Sequence, residues 1–591
     1  MKKEAFASFF FATMLNFPIK PALLFCIIAI TVACYLPGLT GHFIFDDGVN
    51  IRMNSSLKID SLDFSSLRQA AFSGSAGLLG RPISVASFAV NHYFFGMNPY
   101  YFKAINLAIH LVNGVLIFML ARLLLGLHLR IRGTANENAA AWIALAVAAI
   151  WLLHPFNLTG VLYVVQRMTS LAALFTLAGL ALYAHGRKLL LDGNRSGFLA
   201  IGAALFVFTP LAALCKESGA LLPLLIFVTE AILLRWNAPD RGSRRMLVAI
   251  VGLSVAVPLL LGLFYVLKTP DLVLGGYAWR DFSLTERLMT EARVLWFYLH
   301  MIVLPSMGEM GLHHDDFLIS RGLFSPWTTL PAIAGLVLLA AAAFVLRNKQ
   351  PLITFGIVFF FAGHAMESTI IPLELAFEHR NYLPMFGILL PLAYYALDSR
   401  LHLSSVRVRR GAFLLLVILF AGLTASRAQQ WGDTLQMRML EVERHPRSVR
   451  AHTDLAALYD HLPPTSREDA IDLYNKALFH YQQAADNAPS SIAGLLGIMV
   501  VNAKRGLPVD SALLRELEQR LATVPFGPPN KNSLIGAVRD IASGYFVVNA
   551  EIVDRLYRAT MSNPLLTGSH KSQIITEFGN LPAELRPSAD K

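Results

Sequence analysis

Apolar runs of about 20 residues recur along this 591-residue chain, and no other feature constrains its fold as tightly. A run of that length crosses a hydrocarbon core of about 30 Å as an α-helix rising about 1.5 Å per residue. In lipid every backbone amide and carbonyl must be satisfied within the chain, so the runs are expected to be helices. They fall near 22–40, 103–122, 141–158, 163–184, 197–214, 218–235, 246–266, 327–346, 352–371, 382–397 and 411–427, about eleven spans. The apolar stretch 294–304 is too brief to span and is expected to be re-entrant or interfacial. Charged residues make up 15% of the chain against about 25% in soluble domains, which excludes an ordinary soluble protein.

The expected fold is therefore all-α: a polytopic membrane domain over 1–427, then a soluble helical domain over 428–591. Lys and Arg collect in alternate loops, which places the N-terminus in the cytoplasm and the tail outside. Lys2, Lys3 and Lys20 begin that pattern, and FASFFFATML near the N-terminus could lie along the inner interface. The net charge of +11 is accounted for by topology-fixing loops and by anionic lipid or phosphate, so no nucleic acid is implied. Cys26, Cys34 and Cys215 fall in or beside spans, and neither a disulfide framework nor a cysteine metal site is expected. The first apolar run lacks a small-residue cleavage site and is read as a retained anchor.

In the tail, Ala456, Leu458 and Tyr459, then Ala470, Tyr474, Ala477 and Leu478, space out like one degenerate tetratricopeptide unit closing at Pro489. Such a unit cannot bury its own face, so further helices at 492–503, 510–522, 532–542 and 549–560 are expected beside it.

The polar residues at span ends fall on the outer side. Asp46 and Asp47 lie in FIFDDGVNI, in the first external loop, 41–102. Two adjacent carboxylates at a bilayer edge repel each other and cost solvation energy. A reactive hydroxyl, a bound cation or an Arg partner could offset that cost; alternatively one Asp caps a short helix while the other faces water. Arg167 is expected one or two turns inside a span, needing a partner or a water path. Arg81, Lys216 and Arg380 suit a phosphate, Arg by its planar fork and Lys by its compact charge. Glu217 and the Glu378-His379-Arg380 run accompany them. His313-His314-Asp315-Asp316 invites a metal reading, but adjacent residues rarely reach one ion together, and a solvated loop is expected.

The ordered series FDDGVNI, GRPISVASFAVN, INLAIHLVN, LLHPFNLTGVLYVVQRMTSLAALF, CKESGALLP and EHRNYLP resembles the GT-C membrane glycosyltransferases over roughly 41–431. It looks most like the transmembrane and tetratricopeptide-repeat proteins related to protein O-mannosyltransferases, and is also similar to type IV pilin arabinofuranosyltransferases. The resemblance implies sugar transfer from a polyprenyl-phosphate donor to an acceptor, a protein Ser or Thr foremost, on the outer or lumenal side; the shape of the tail and the short chain point to a bacterial inner membrane with a periplasmic acceptor. The resemblance also implies Asp46 or Asp47 as base, Arg81, Glu378, His379 and Arg380 at the donor phosphate, and Lys216 and Arg167 as further phosphate contacts. A lipid monophosphate donor needs no divalent ion in principle, although a carboxylate pair could bind one. The single degenerate repeat departs from relatives that carry many. A lipid-linked sugar flippase, a glycolipid-modifying transferase and a non-catalytic anchor for the tail are the alternatives.

Overall fold

The computed structural model describes residues 21–398, 405–566 and 568–587. Lys2, Lys3, Lys20 and FASFFFATML fall outside these residues. Within them the secondary structure is helical, apart from one isolated bridge between Gly322 and Ser325.

All the apolar segments fold as helices, but unequally. Seven are long and apolar enough to cross a membrane alone: Ala22–Thr40, Pro99–Ile131, Val164–Leu191, Glu217–Leu234, Arg241–Lys268, Thr329–Leu346 and Val406–Gly432. Glu137–Leu152 and Pro155–Leu162 make an eighth if their 54° bend is counted within one span. Pro155 has no amide to offer the preceding turn, and Asn157 Nδ2 donates to Trp151 O at 2.8 Å instead.

Among the described residues, seven or eight of about eleven expected runs are thus long enough to cross alone. Gly197–Ala213, Pro351–Gly363 and Met385–Leu397 are shorter. Thirteen residues in each of the last two rise only about 20 Å. Between them, where the run 352–371 was expected to stay helical, the chain leaves the helix and buries His364, Glu367, Glu378, His379, Arg380 and Asn381. Irregular backbone in a membrane bundle is tolerated where protein surrounds it.

The stretch 294–304 is likewise no separate element. It ends a 20-residue helix, Leu284–Val303, that opens with a Ser283–Glu286 capping box and buries Arg287, Thr290 and Glu291 on its polar half.

Apolar residues from Pro99–Ile131, Glu137–Leu152, Arg167–Leu191 and Met385–Leu397 form the main core. Trp151 is fully buried there; its indole donates to Tyr382 O at 2.9 Å and its ring stacks on His110. Arg241–Lys268 and Thr329–Leu346 keep most of their apolar surface outward, as lipid-facing helices do.

Val406–Gly432 runs past 427, and the Asp433 carboxylate then caps the next helix, Thr434–Arg444, through the amides of Leu435 and Gln436. Val449–His461 packs Leu455 and Tyr459 against Leu473 and Ala477 of Arg467–Asn487. Ala493–Ala503, Ser511–Thr523, Pro528–Ala542, Ala550–Met561 and Gly568–Gly579 follow, with Met499, Leu517, Leu534 and Val553 in a second core.

Candidate active site

Phe45 sits in the left-handed region at φ 43°, and past it the two aspartates part company. Asp47 is fully buried, its Oδ2 accepting from Ile44 N at 3.0 Å and its Oδ1 from Val165 N at 2.7 Å. Burial pushes its pKa up to about 7, against the pull of those two amides and Lys103. Asp46 instead lines a cavity of about 510 Å³. Its backbone amide donates to Tyr163 Oη at 3.1 Å. Burial raises the Asp46 pKa; Arg450, Tyr163 and His313 oppose that rise, and Glu374 adds to it.

The cavity lies between the membrane bundle and the tail. One wall holds Phe45, Asp46, Arg280 and Glu374; the other holds Arg450, Ser491 and Asn530. Arg450 Nη2 lies 3.1 Å from Glu374 Oε1, and its guanidinium sits 5.1 Å from the centre of the Phe45 ring. Arg280 Nη1 meets the same carboxylate oxygen at 2.6 Å. Burial works against ionising Glu374, but Arg450 and Arg280 prevail and hold its pKa at about 2. In all, Asp46, Asp281, Asp315, Glu374 and Asp454 line the cavity against two guanidiniums, so its walls are net acidic.

His313-His314-Asp315-Asp316 is not a solvated loop. Both histidines are buried, and three of the four side chains grip the tail. His313 Nε2 lies 3.0 Å from Asp454 Oδ2, His445 Nδ1 lies 3.1 Å from Asp316 Oδ1, and Ser448 Oγ donates to Asp315 Oδ1 at 2.5 Å. Glu441 accepts from Leu312 N at 2.8 Å. Among the described residues no group of three or more His, Cys, Asp or Glu is placed to hold a metal ion.

The residues expected at a donor phosphate divide into several groups. Lys216 Nζ pairs with Glu367 Oε1 at 2.8 Å and donates to Thr169 Oγ1 at 3.1 Å, lining a small cavity of about 30 Å³ with His379 and Arg380. Burial, then the Lys216 and Arg380 charges, push the His379 pKa well down. Arg380 donates to Leu375 O and Glu374 O at 2.8 and 2.7 Å, joining this chamber to the acidic cavity through one loop. Arg81, at φ 53° after Gly80, places Nε and Nη2 at 3.0 and 2.9 Å from Glu217 Oε2. Any side chain at Gly77, at φ 69°, would run into that Glu217 carboxylate. Glu378 turns away to Arg427 at 2.7 Å and to Gly311 N at 2.9 Å. Arg167 is fully buried, donating to Asn106, Asn91, Ser87 O and Phe102 O, and lines neither cavity.

Sequence reasoning missed Glu367, Glu374, Tyr163 and Arg450. Glu367 had a signal, an ionisable group inside the run 352–371. Arg450 had none, because nothing in its neighbourhood of the sequence ties it to Asp46.

Over 200 residues, 33% of this chain and 20% of the relative, the identity to Protein O-mannosyl-transferase TMTC3 of Homo sapiens is 27%. Protein O-mannosyl-transferase TMTC1 of Mus musculus is 30% identical over 204 residues, 32% of this chain and 19% of its own. The chain is similar to the TMTC protein O-mannosyl-transferases. Protein O-mannosyl-transferase TMTC4 of Mus musculus is 27% identical over 203 residues, 32% of this chain and 27% of its own. The matches thus span between a fifth and about a quarter of these relatives' length. No family model and no solved structure matches the chain.

Proposed function

We propose that the chain is a membrane glycosyltransferase that moves a sugar from a polyprenyl-phosphate carrier to a hydroxyl of a protein acceptor, with Asp46 as general base. One observation carries the assignment: of the two adjacent carboxylates, Asp46 faces a cavity open to an acceptor, whereas both Asp47 oxygens are occupied by buried amides. Asp46 takes the proton of a Ser or Thr hydroxyl as that oxygen attacks the anomeric carbon. The bond from that carbon to the phosphate oxygen breaks, and the phosphate leaves with the electron pair.

The developing negative charge needs cations, which the acidic cavity does not offer in excess. Lys216 and Arg380 supply them in the adjoining chamber, which His379 also lines, while Arg81 pairs with Glu217, between the lining residues Lys216 and Ser218. At about 30 Å³ the chamber holds a water or two, so a phosphate enters only by displacing Glu367 from Lys216. Asp47 and Arg167 keep the loop and the bundle in register, and Glu378 anchors Arg427. The similarity to protein O-mannosyl-transferases supports a protein acceptor, and the loop charges favour a cytoplasmic N-terminus with the tail on the opposite face, which is the periplasm in the proposed bacterial inner membrane.

One observation favours a second reading, a lipid-linked sugar flippase. Arg187, Glu230 and Tyr183 form a fully buried polar group some 20 residues, about 30 Å, along the helix from Arg167. Mass spectrometry of envelope proteins and lipid-linked sugars from cells carrying the wild-type chain or Asp46→Asn decides between the readings. A sugar mass lost from Ser or Thr in the variant supports transfer; intact protein glycans with stranded carrier lipid overturn it.

A further inference from the structure

The tail does more than wall the cavity. Arg450 is the second residue of the helix Val449–His461, whose cap Ser448 accepts from Ala451 N at 3.0 Å and is itself tied to Asp315. The Arg450 amide donates to Asp315 Oδ2 at 3.2 Å, and its guanidinium is fixed between Glu374 and the face of Phe45. Phe45 is the residue immediately before Asp46. A rigid cation from the tail is therefore mounted on the same turn that carries the candidate base.

We infer that Arg450 is a positioning residue for Asp46, a cation lent by the tail that favours the ionised base at the cavity wall. The inference rests on the proposed role of Asp46. Tyr163, Glu374 and His313 act on Asp46 from the bundle, with Asp47 beside it and Arg280, Asp281, His314 and Asp315 on the same cavity walls; Arg450 acts on it from the tail, where Asp454 also lines the cavity. Burial and Glu374 both favour the protonated acid. Arg450 is foremost among the groups that favour the carboxylate, ahead of the Tyr163 hydrogen bond and His313. Glu374 divides its charge between Arg280 and Arg450, so the Arg450 charge is not wholly spent on its nearest partner. A base assembled in this way works only when the first loop and the tail are both in place.

Carbodiimides react with protonated carboxyls, so labelling of Asp46, read by peptide mass spectrometry across pH on the full-length detergent-solubilised chain, reports its ionisation without any substrate. Arg450→Gln is expected to move the labelling midpoint up by about one pH unit, and Arg450→Lys to restore most of it. A midpoint that stays put or falls in Arg450→Gln overturns the inference, as does an Arg450→Lys variant that behaves like Arg450→Gln. A tail merely loosened by the substitution would admit water and move the midpoint down, the opposite direction. Should Arg450→Gln fail to keep a protease-resistant tail, Arg450→Met, which retains the apolar stem over Phe45, is read by the same criteria. Transfer by Asp46→Asn is scored separately: full activity there sinks the proposed base while leaving the labelling result intact.

Discussion

Asp47 Oδ1 accepts a hydrogen bond from Val165 N at 2.7 Å, pinning the first loop to the start of the helix that carries Arg167. Its neighbour Asp46 is left to the cavity. Asp46→Asn should therefore lower sugar transfer by about 10²–10⁴-fold, the usual worth of a general base, with little change in melting temperature. Asp47→Ala strands two buried amides at about 1–3 kcal/mol each and should lower the melting temperature in detergent markedly. Equal effects of the two substitutions on melting would contradict this division of labour.

Transfer should also depend on pH in a particular direction. The base acts when ionised, and burial raises the Asp46 pKa, so activity falls on acidification through a midpoint above the free-aspartate value of about 3.9. Stability runs the other way at Asp47. Its folded pKa of about 7 lies above the unfolded value, so the protonated folded form is favoured. That contribution is full below about pH 4 and is lost as pH rises toward 7. Melting curves from pH 4 to 8 should show a decline that Asp47→Asn flattens.

Docking of the tail has a pH window of its own. The pKa values of His313 and His445 are raised because their carboxylate partners outweigh burial, and those of Asp316 and Asp454 are lowered by the same contacts. The histidines contribute below their unfolded value of about 6.5 and lose that contribution as pH rises through their higher folded values. The aspartates contribute above about 3.9 and lose it as pH falls through their depressed values. Proteolysis of the tail should therefore be slowest between about pH 4 and 6.5 and faster above, with Asp316→Asn reducing the difference.

Lys216 and Glu367 should behave as a coupled pair. Lys216→Met alone leaves a buried carboxylate unpaired, which typically costs about 3–5 kcal/mol. Adding Glu367→Gln should recover most of the melting temperature but not donor recognition, so KM for the lipid donor stays raised. A double variant with wild-type donor KM would remove Lys216 from the phosphate site.

The acidic cavity predicts a preference among acceptors. With five carboxylates against two guanidiniums on its walls, peptides bearing Lys beside the acceptor Ser should outperform those bearing Glu. The margin should shrink in high salt as the walls are screened. An unchanged ranking at low salt would show that these charges do not read the acceptor.

The apolar runs were legible because lipid leaves a backbone little choice but helix, and nearly every run became one. The two shorter helices around 364–384 were not, because hydropathy averages over a window and cannot tell where Glu367 and the EHRN turn break the backbone. At the site, the importance of the aspartate pair could be read from its cost at a bilayer edge, but not which partner faces the cavity. That depends on the amide of Val165, far along the chain. The HHDD run was misjudged for the same reason: its partners Asp454, His445 and Ser448 lie in a tail whose docking no local pattern announces.

The far wall of the cavity is contributed by residues between 449 and 533, long after the first loop has been made. A ribosome finishes Asp46 more than 400 residues before it finishes that wall. Throughout synthesis the carboxylate is thus present without its enclosure, and the order of translation itself delays assembly of the cavity until the tail has emerged and docked.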